Sequence, residues 1–256
     1  MTTSLYLVRL ILDRRAVLRI GARHRLGAAA DEGALLHAGL SELFATSSDP
    51  AMVPLHVFAV DDLRAASARQ PDSLFLLAYA DADGGGLVAA MGPKRAEVVR
   101  RCETREMPAF AVGQRLGFRT RVCPIVRTRR PGERPLRVNR QGKVKHREID
   151  AFLHATLTAR DDSNVDREDV YRQWLRKELC RDGASTLNAA HLAEFRRELM
   201  RRHGGARIER PNAVLEGHLT VSDPLAFRAL LVRGVGRHRA FGFGMLLLRP
   251  PGTSTC

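Results

Sequence analysis

A basic, glycine-rich stretch near the C-terminus holds the residue types best suited to chemistry on a phosphate. It runs from Gly234 to Gly244 and reads GVGRHRAFGFG. Glycines permit positive φ angles and close approach by another molecule. The forked, permanently charged guanidinium groups of Arg237 and Arg239 match phosphate oxygens. The stretch therefore predicts either a loop that holds a polyanion against a sheet edge or an ordinary glycine-rich turn before a last strand.

The whole chain is strongly basic. Its 256 residues include 42 Lys or Arg and 28 Asp or Glu, which gives a formal net charge of +14. Residues 115 to 147 concentrate this charge, because they hold twelve Lys or Arg and a single acid, Glu133. Like charges at this density repel one another unless a polyanion neutralises them, so nucleic acid is the expected partner.

Other classes of protein are disfavoured. No run of about eighteen apolar residues predicts a membrane span, and the start MTTSL lacks the basic n-region of a signal peptide. We therefore expect a cytoplasmic protein with no membrane partner. The phosphate-loop motif of nucleotide-binding enzymes is absent, and no helix-turn-helix pattern supports a DNA-binding regulator. The widely spaced Cys102, Cys123, Cys180 and Cys256 predict neither a metal site nor disulfides, and no cofactor is expected.

The first half of the chain contains the predicted strands and helices of one module. Residues 5–12, 54–60 and 74–79 are short, apolar segments that predict strands. Residues 13–30 are too polar and glycine-punctuated to predict one helix. Asp31-Glu32 opens a helix with an apolar stripe, and residues 94–102 predict a second, short helix. This order is compatible with a ferredoxin-like module, the fold of RNA-recognition motifs.

The second half alternates strands and helices. Residues 115–127 have a period of two that puts Arg119 and Arg121 on one cationic face. Three amphipathic helices are predicted between residues 147 and 205, the third from Leu192, Phe195, Leu199 and Met200. A strand at 214–221 and a helix that begins near Pro224 follow. We predict an α+β fold of two tandem ferredoxin-like modules, 1–102 and 103–256, with a helical insertion at about 147–205 in the second.

Several segments resemble CRISPR RNA-processing endoribonucleases of the RAMP superfamily. The ending EGHLTVSDP, followed by a helix and GVGRHRAFGFGMLLL, is similar to the C-terminal signature of the CasE type and its type IV relatives. Residues 5–12 resemble the first strand of that family, and FRTRVCPIVR at 118–127 resembles an internal strand. The long helical block is more typical of a type IV relative.

The resemblance implies a fold, an activity and partners. The fold is two tandem ferredoxin-like modules. The activity is metal-independent cleavage of a CRISPR repeat stem-loop in precursor RNA, in which a ribose 2′-hydroxyl attacks the adjacent phosphate. The implied partners are the mature CRISPR RNA, which stays bound, and other subunits of a CRISPR effector complex. A non-catalytic RNA-binding subunit with the same fold is the alternative.

The resemblance also implies where a proton-transfer residue lies. His37 matches the histidine of a Y-x-x-H pattern on the first helix, and histidine suits proton transfer near neutral pH. Ala34 stands at the tyrosine position, and Glu42 replaces a lysine found in some relatives. Charge stabilisation is therefore expected from arginines, with Arg23 and Arg239 as the catalytic candidates. His24 is the rival base, and an arginine-dominated site is a further possibility.

RNA contacts are predicted on two surfaces. One is a basic cleft between the modules, and the other is the helical insertion, which would grip the stem through its backbone. The predicted contact residues are Arg25, Arg119, Arg121, Arg127, Lys143, Lys145, Arg172, Arg176, Arg237 and His238.

Overall fold

The first module is a four-stranded antiparallel sheet with helices on one face. The computed structural model of the chain describes residues 4–26, 32–45, 55–60, 70–128, 147–159, 164–201 and 207–252. The sheet order is β2-β3-β1-β4. The elements are β1 (Tyr6–Asp13), α1 (Arg14–Arg23), α2 (Glu32–Leu43), β2 (Leu55–Ala59), β3 (Ser73–Ala80), α3 (Gly84–Ala90), α4 (Arg95–Val98) and β4 (Val99–Glu106). The first sheet therefore extends past the predicted boundary at residue 102.

Two local predictions for the first module were wrong. The polar stretch after β1 forms helix α1, because Asp13 accepts a hydrogen bond from the Ala16 amide (2.8 Å) and caps it. Gly21 helps the helix to pack, since a Cβ there would lie 2.4 Å from Leu35 of α2. The helix predicted at 94–102 is a single turn, α4, and the chain then enters β4.

The second module repeats the topology. Its antiparallel sheet has the order β10-β5-β9-β8, so in both sheets the first strand lies between the fourth and the third. The elements are β5 (Arg115–Val122), β6 (Ile125–Thr128), β7 (Arg147–Asp150), α5 (Ala151–Thr158), α6 (Arg167–Leu179), β8 (Ser185–Arg201), β9 (Arg207–Val221), α7 (Pro224–Arg233) and β10 (Leu246–Arg249). This shared strand order confirms the predicted pair of ferredoxin-like modules.

The third helix predicted in the insertion is wrong. Residues 185–201 form the long strand β8, which pairs with β9 from Ser185 to Arg201. Leu192 and Phe195 are partly buried, whereas Leu199 is 59% exposed, so their helical spacing does not mark a buried helix face. Backbone pairing with β9 decides the structure, because tertiary context overrides weak helix propensity.

The two modules share packing across their junction. Leu5, Val57 and Tyr79 of the first module belong to the same apolar cluster as the core of the second. The Tyr79 hydroxyl donates a 2.8 Å hydrogen bond to the carbonyl of Leu246 in β10. This junction fixes the relative position of residues that lie far apart in sequence. Among the described residues, no helix is long and apolar enough to cross a bilayer.

Candidate nucleic-acid interface and active site

A cleft of about 960 Å³ lies between the two modules. We call it the intermodule cleft. Helix α2 and strand β2 contribute to one wall, and β6, α6 and the glycine-rich loop contribute to the other. Its ionisable lining is Arg127, Arg181, Arg233, Arg237, Arg239, His37, His56, His238 and Glu178. Five arginines against one carboxylate make this concave surface attractive to phosphates.

The glycines hold the 234–244 loop in close contact with both modules. Gly236 and Gly242 have φ angles of 73° and 78°, in the region that favours glycine. A Cβ at Gly236 would lie 2.7 Å from the Trp174 ring of α6, and one at Gly242 would lie 2.7 Å from Val60, just after β2. The loop backbone is therefore packed tightly into the junction at these two glycines.

Glu148 of β7 anchors the basic part of this loop. Its carboxylate lies 3.2 Å from Arg237 Nε and 3.6 Å from His238 Nε2. Arg210 donates to the same group at 2.8 Å. His238 has a φ of 61°, which shows that the loop turns sharply here. The Arg237 side chain keeps 44% exposure to the cleft, so it can meet a phosphate while one carboxylate holds its position.

His37 of the first module contacts Phe241 of the glycine-rich loop. His37 lies on α2, exposed to the cleft, with its ring 5.5 Å from the ring of Phe241. Desolvation lowers the pKa of His37 below its ordinary value, and the positive charge of His24 lowers it further. A neutral imidazole at pH 7 is the form that accepts a proton. Arg239 donates to the carbonyl of Arg233 at the end of α7.

The other predicted catalytic arginine lies outside the cleft lining. Glu42 accepts from Arg23 at 2.8 Å, lies 2.9 Å from His24 Nε2 and also pairs with Lys94. Desolvation opposes ionisation of Glu42, but hydrogen bonds from Arg23, Lys94 and His24 prevail and lower its pKa to about 2. Arg23 and His24 thus bind a carboxylate that joins α1, α2 and the start of α4. Arg25 is exposed just after α1.

The β5 arginines predicted to line the cleft face acidic partners instead. Arg119 pairs with Glu216 of β9 and, at 2.9 Å, with Glu194 of β8. Arg121 is 7% exposed and donates to Glu198 at 2.7 Å. Its guanidinium also lies 4.2 Å from the centre of the Phe243 ring. Arg127, on β6, does line the cleft as predicted.

The predicted stem-binding residues are only partly described. Arg172 and Arg176 lie on α6, where Arg172 pairs with Glu168 and Asp169. Lys143 and Lys145 lie outside the described residues. The C-terminal end of α6 and the turn after it add Glu178 and Arg181 to the cleft, paired at 2.6 Å.

Sequence reasoning missed His56. It lies on β2, lines the cleft and has its Nε2 2.8 Å from Asp81 Oδ2. The available signal was one ionisable residue inside the apolar segment PLHVFAV. Within the described residues, no group of His, Cys, Asp or Glu side chains is arranged to hold a metal ion.

Comparison with known proteins gives a family and a fold. The family model described as "CRISPR associated protein" matches residues 5–250. The Escherichia coli K-12 CRISPR-associated protein Cas6e is 21% identical, with a TM-score of 0.58 over 96% of this chain and 99% of that one. Thermus thermophilus Cse3, bound to an RNA representing a pre-cleavage complex, is 20% identical, with a TM-score of 0.59 over 96% and 100%. No curated protein matches the chain.

Proposed function

Since the chain belongs to the CRISPR-associated protein family, we propose that it is an endoribonuclease. Its substrate is the repeat stem-loop of precursor CRISPR RNA, and it stays bound to the mature RNA as part of a CRISPR effector complex. The solved structures of similar fold include a CRISPR endoribonuclease, Cse3, bound to a 19-nucleotide RNA. The net charge of +14 suits the same kind of ligand.

The intermodule cleft carries this proposal. Its lining includes His37 from the first module and Arg237 and Arg239 from the second. Attack by a ribose 2′-hydroxyl on the adjacent phosphate needs a base for the 2′-proton and cations for the charge that builds on the phosphate. A neutral histidine and arginines in one cleft are the residue types that supply both.

The roles follow from the contacts. His37 removes the 2′-proton, because its lowered pKa keeps the ring neutral. Arg237 and Arg239 hold the phosphate, since arginine stays protonated and donates in a fork. Products are a 2′,3′-cyclic phosphate and a 5′-hydroxyl. The nucleophile is internal to the RNA, so this chemistry needs no metal ion to generate one from water.

The decisive experiment is product analysis on RNA transcribed from the neighbouring repeat array. In the presence of EDTA, the protein is expected to cut the repeat once and to leave a cyclic phosphate end. Cleavage that stops in EDTA would overturn the metal-independent mechanism. Tight binding without any cut would overturn the enzymatic role.

One observation favours the alternative, a non-catalytic RNA-binding subunit. Ala34 is buried and Glu42 is held by three basic side chains. The family resemblance implies a tyrosine at position 34 and, in some relatives, a lysine at position 42. Alanine and glutamate stand there instead. The same product analysis separates the two functions, because a non-catalytic subunit protects the repeat without changing its length.

A further inference from the structure

His56 is the second ionisable ring that the first module presents to the intermodule cleft. Its strand neighbours Leu55 and Val57 are buried, whereas its own side chain keeps 23% exposure. A titratable residue inside an otherwise apolar strand carries a desolvation cost unless it has a polar partner. The polar partner of His56 is Asp81, and the exposed side of the ring lines the cleft.

A carboxylate fixed from both modules holds the ring. His56 Nε2 lies 2.8 Å from one oxygen of Asp81, just after β3. Arg228 of α7, in the second module, donates to the other Asp81 oxygen at 2.7 Å. Docking of the modules therefore fixes the carboxylate, and the carboxylate fixes the ring. Because Nε2 bonds Asp81, Nδ1 is the ring nitrogen with which His56 can meet a substrate in the cleft.

We infer that His56 is a second catalytic residue of the cleft, the general acid that protonates the departing 5′-oxygen, and that Asp81 is its positioning residue. This inference rests on the proposed function. The arrangement has the logic of a carboxylate–histidine pair, in which the carboxylate orients the ring and compensates the charge of the imidazolium.

The two histidines then divide the reaction. His37 takes the proton of the 2′-hydroxyl as the 2′-oxygen forms its bond to phosphorus. The bond between phosphorus and the 5′-oxygen breaks, and the Nδ1 proton of the His56 imidazolium passes to that oxygen. His37 ends protonated and His56 ends neutral, so protons and charge balance without any co-reactant.

A sulfur substitution in the substrate tests the assignment. The probe is a repeat RNA with a 5′-bridging sulfur at the cut site, compared with the ordinary oxygen substrate in single-turnover assays. A thiolate leaves without protonation, because a thiol has a pKa of about 8.5. His56→Ala is expected to cut the oxygen substrate more slowly by about 10²-fold or more and the sulfur substrate at close to the wild-type rate. Asp81→Asn is expected to show the same pattern with a smaller loss.

Controls separate this inference from the proposed function. His191→Ala, an exposed histidine on β8 outside the cleft, is expected to cut both substrates like wild type. His37→Ala is expected to stay slow on both, since the base is still missing. An equal defect of His56→Ala on both substrates, or no defect on either, would overturn the general-acid role alone. A wild-type protein that cuts neither substrate would overturn the proposed function as well.

Discussion

The arginines of β5 and those of the glycine-rich loop have the same chemistry but different surroundings. Arg119 and Arg121 face glutamates on the neighbouring strands β8 and β9, and Arg121 is almost completely buried. Arg237 and Arg239 line the intermodule cleft and are exposed. Arg237 shares the Glu148 carboxylate with Arg210, while Arg239 binds a backbone carbonyl.

The difference shows that a cluster of arginines in the sequence does not by itself predict how exposed or how paired each arginine is. Acidic residues on the adjacent strands pair with the β5 arginines and link β5 to β8 and β9. The loop arginines keep donors toward the cleft, where a polyanion can complete their coordination. We therefore expect substitutions in the two sets to affect different properties, folding stability in one and RNA handling in the other.

The largest effect is expected on the cleft side. His37→Ala removes the base, so the single-turnover cleavage rate on a repeat RNA should fall by about 10²- to 10⁴-fold. RNA affinity should stay close to wild type. His24→Ala is the matched comparison, because His24 binds Glu42 and does not line the cleft. A large loss in His24→Ala with none in His37→Ala would transfer the role of base to His24.

The sheet side is tested by Arg121→Ala. Removing this buried cation leaves Glu198 without its 2.7 Å partner, so the free energy of unfolding should fall by about 3 kcal/mol. Urea denaturation measures the change. Arg115→Ala, an exposed position on the same strand, should alter stability by less than about 0.5 kcal/mol. Equal stability of the two variants would show that the β5 pairing does not support the fold.

Smaller effects on binding are expected from Arg237→Ala and Arg239→Ala. Each should weaken RNA binding and reduce the slope of log affinity against log salt by about 1, because one phosphate contact is lost. Filter binding across a salt series measures both quantities. Arg105→Ala, exposed on β4 outside the cleft lining, is the control and should leave the slope unchanged. An unchanged slope in the loop variants would remove these arginines from the RNA interface.

The smallest effect concerns acid stability. The folded-state pKa of Glu42 is about 2, below its ordinary value of 4.5, so its ion pairs stabilise the fold above about pH 4.5. That contribution is lost as the pH falls toward 2. The stability difference between wild type and Glu42→Gln should therefore shrink over this range. Glu97→Gln is the control, because Glu97 is more exposed and pairs only with Arg19 among the ion pairs of the described residues. Its loss of unfolding free energy should be small at every pH.

The sequence by itself determined the family, the fold and part of the cleft. The CRISPR resemblance is confirmed by the family match over residues 5–250, and the pair of ferredoxin-like modules by the shared strand order. Short apolar runs were informative for β1 and β3, because they predicted buried strands that the structure contains. His37 and the loop arginines were found through motifs, and the structure brings them into one cleft. Their catalytic and binding roles stay predictions.

Tertiary structure decided what local patterns left ambiguous. Residues 192–200 have helical spacing, yet pairing with β9 makes them a strand. The alternation in β5 correctly placed Arg119 and Arg121 on one face, but only the long-range partners Glu194, Glu198 and Glu216 show that this face is neutralised. Only the tertiary structure brings Asp81 of the first module to His56 and Arg228 of the second module to Asp81. Such contacts join residues distant in the chain, so no local pattern encodes them.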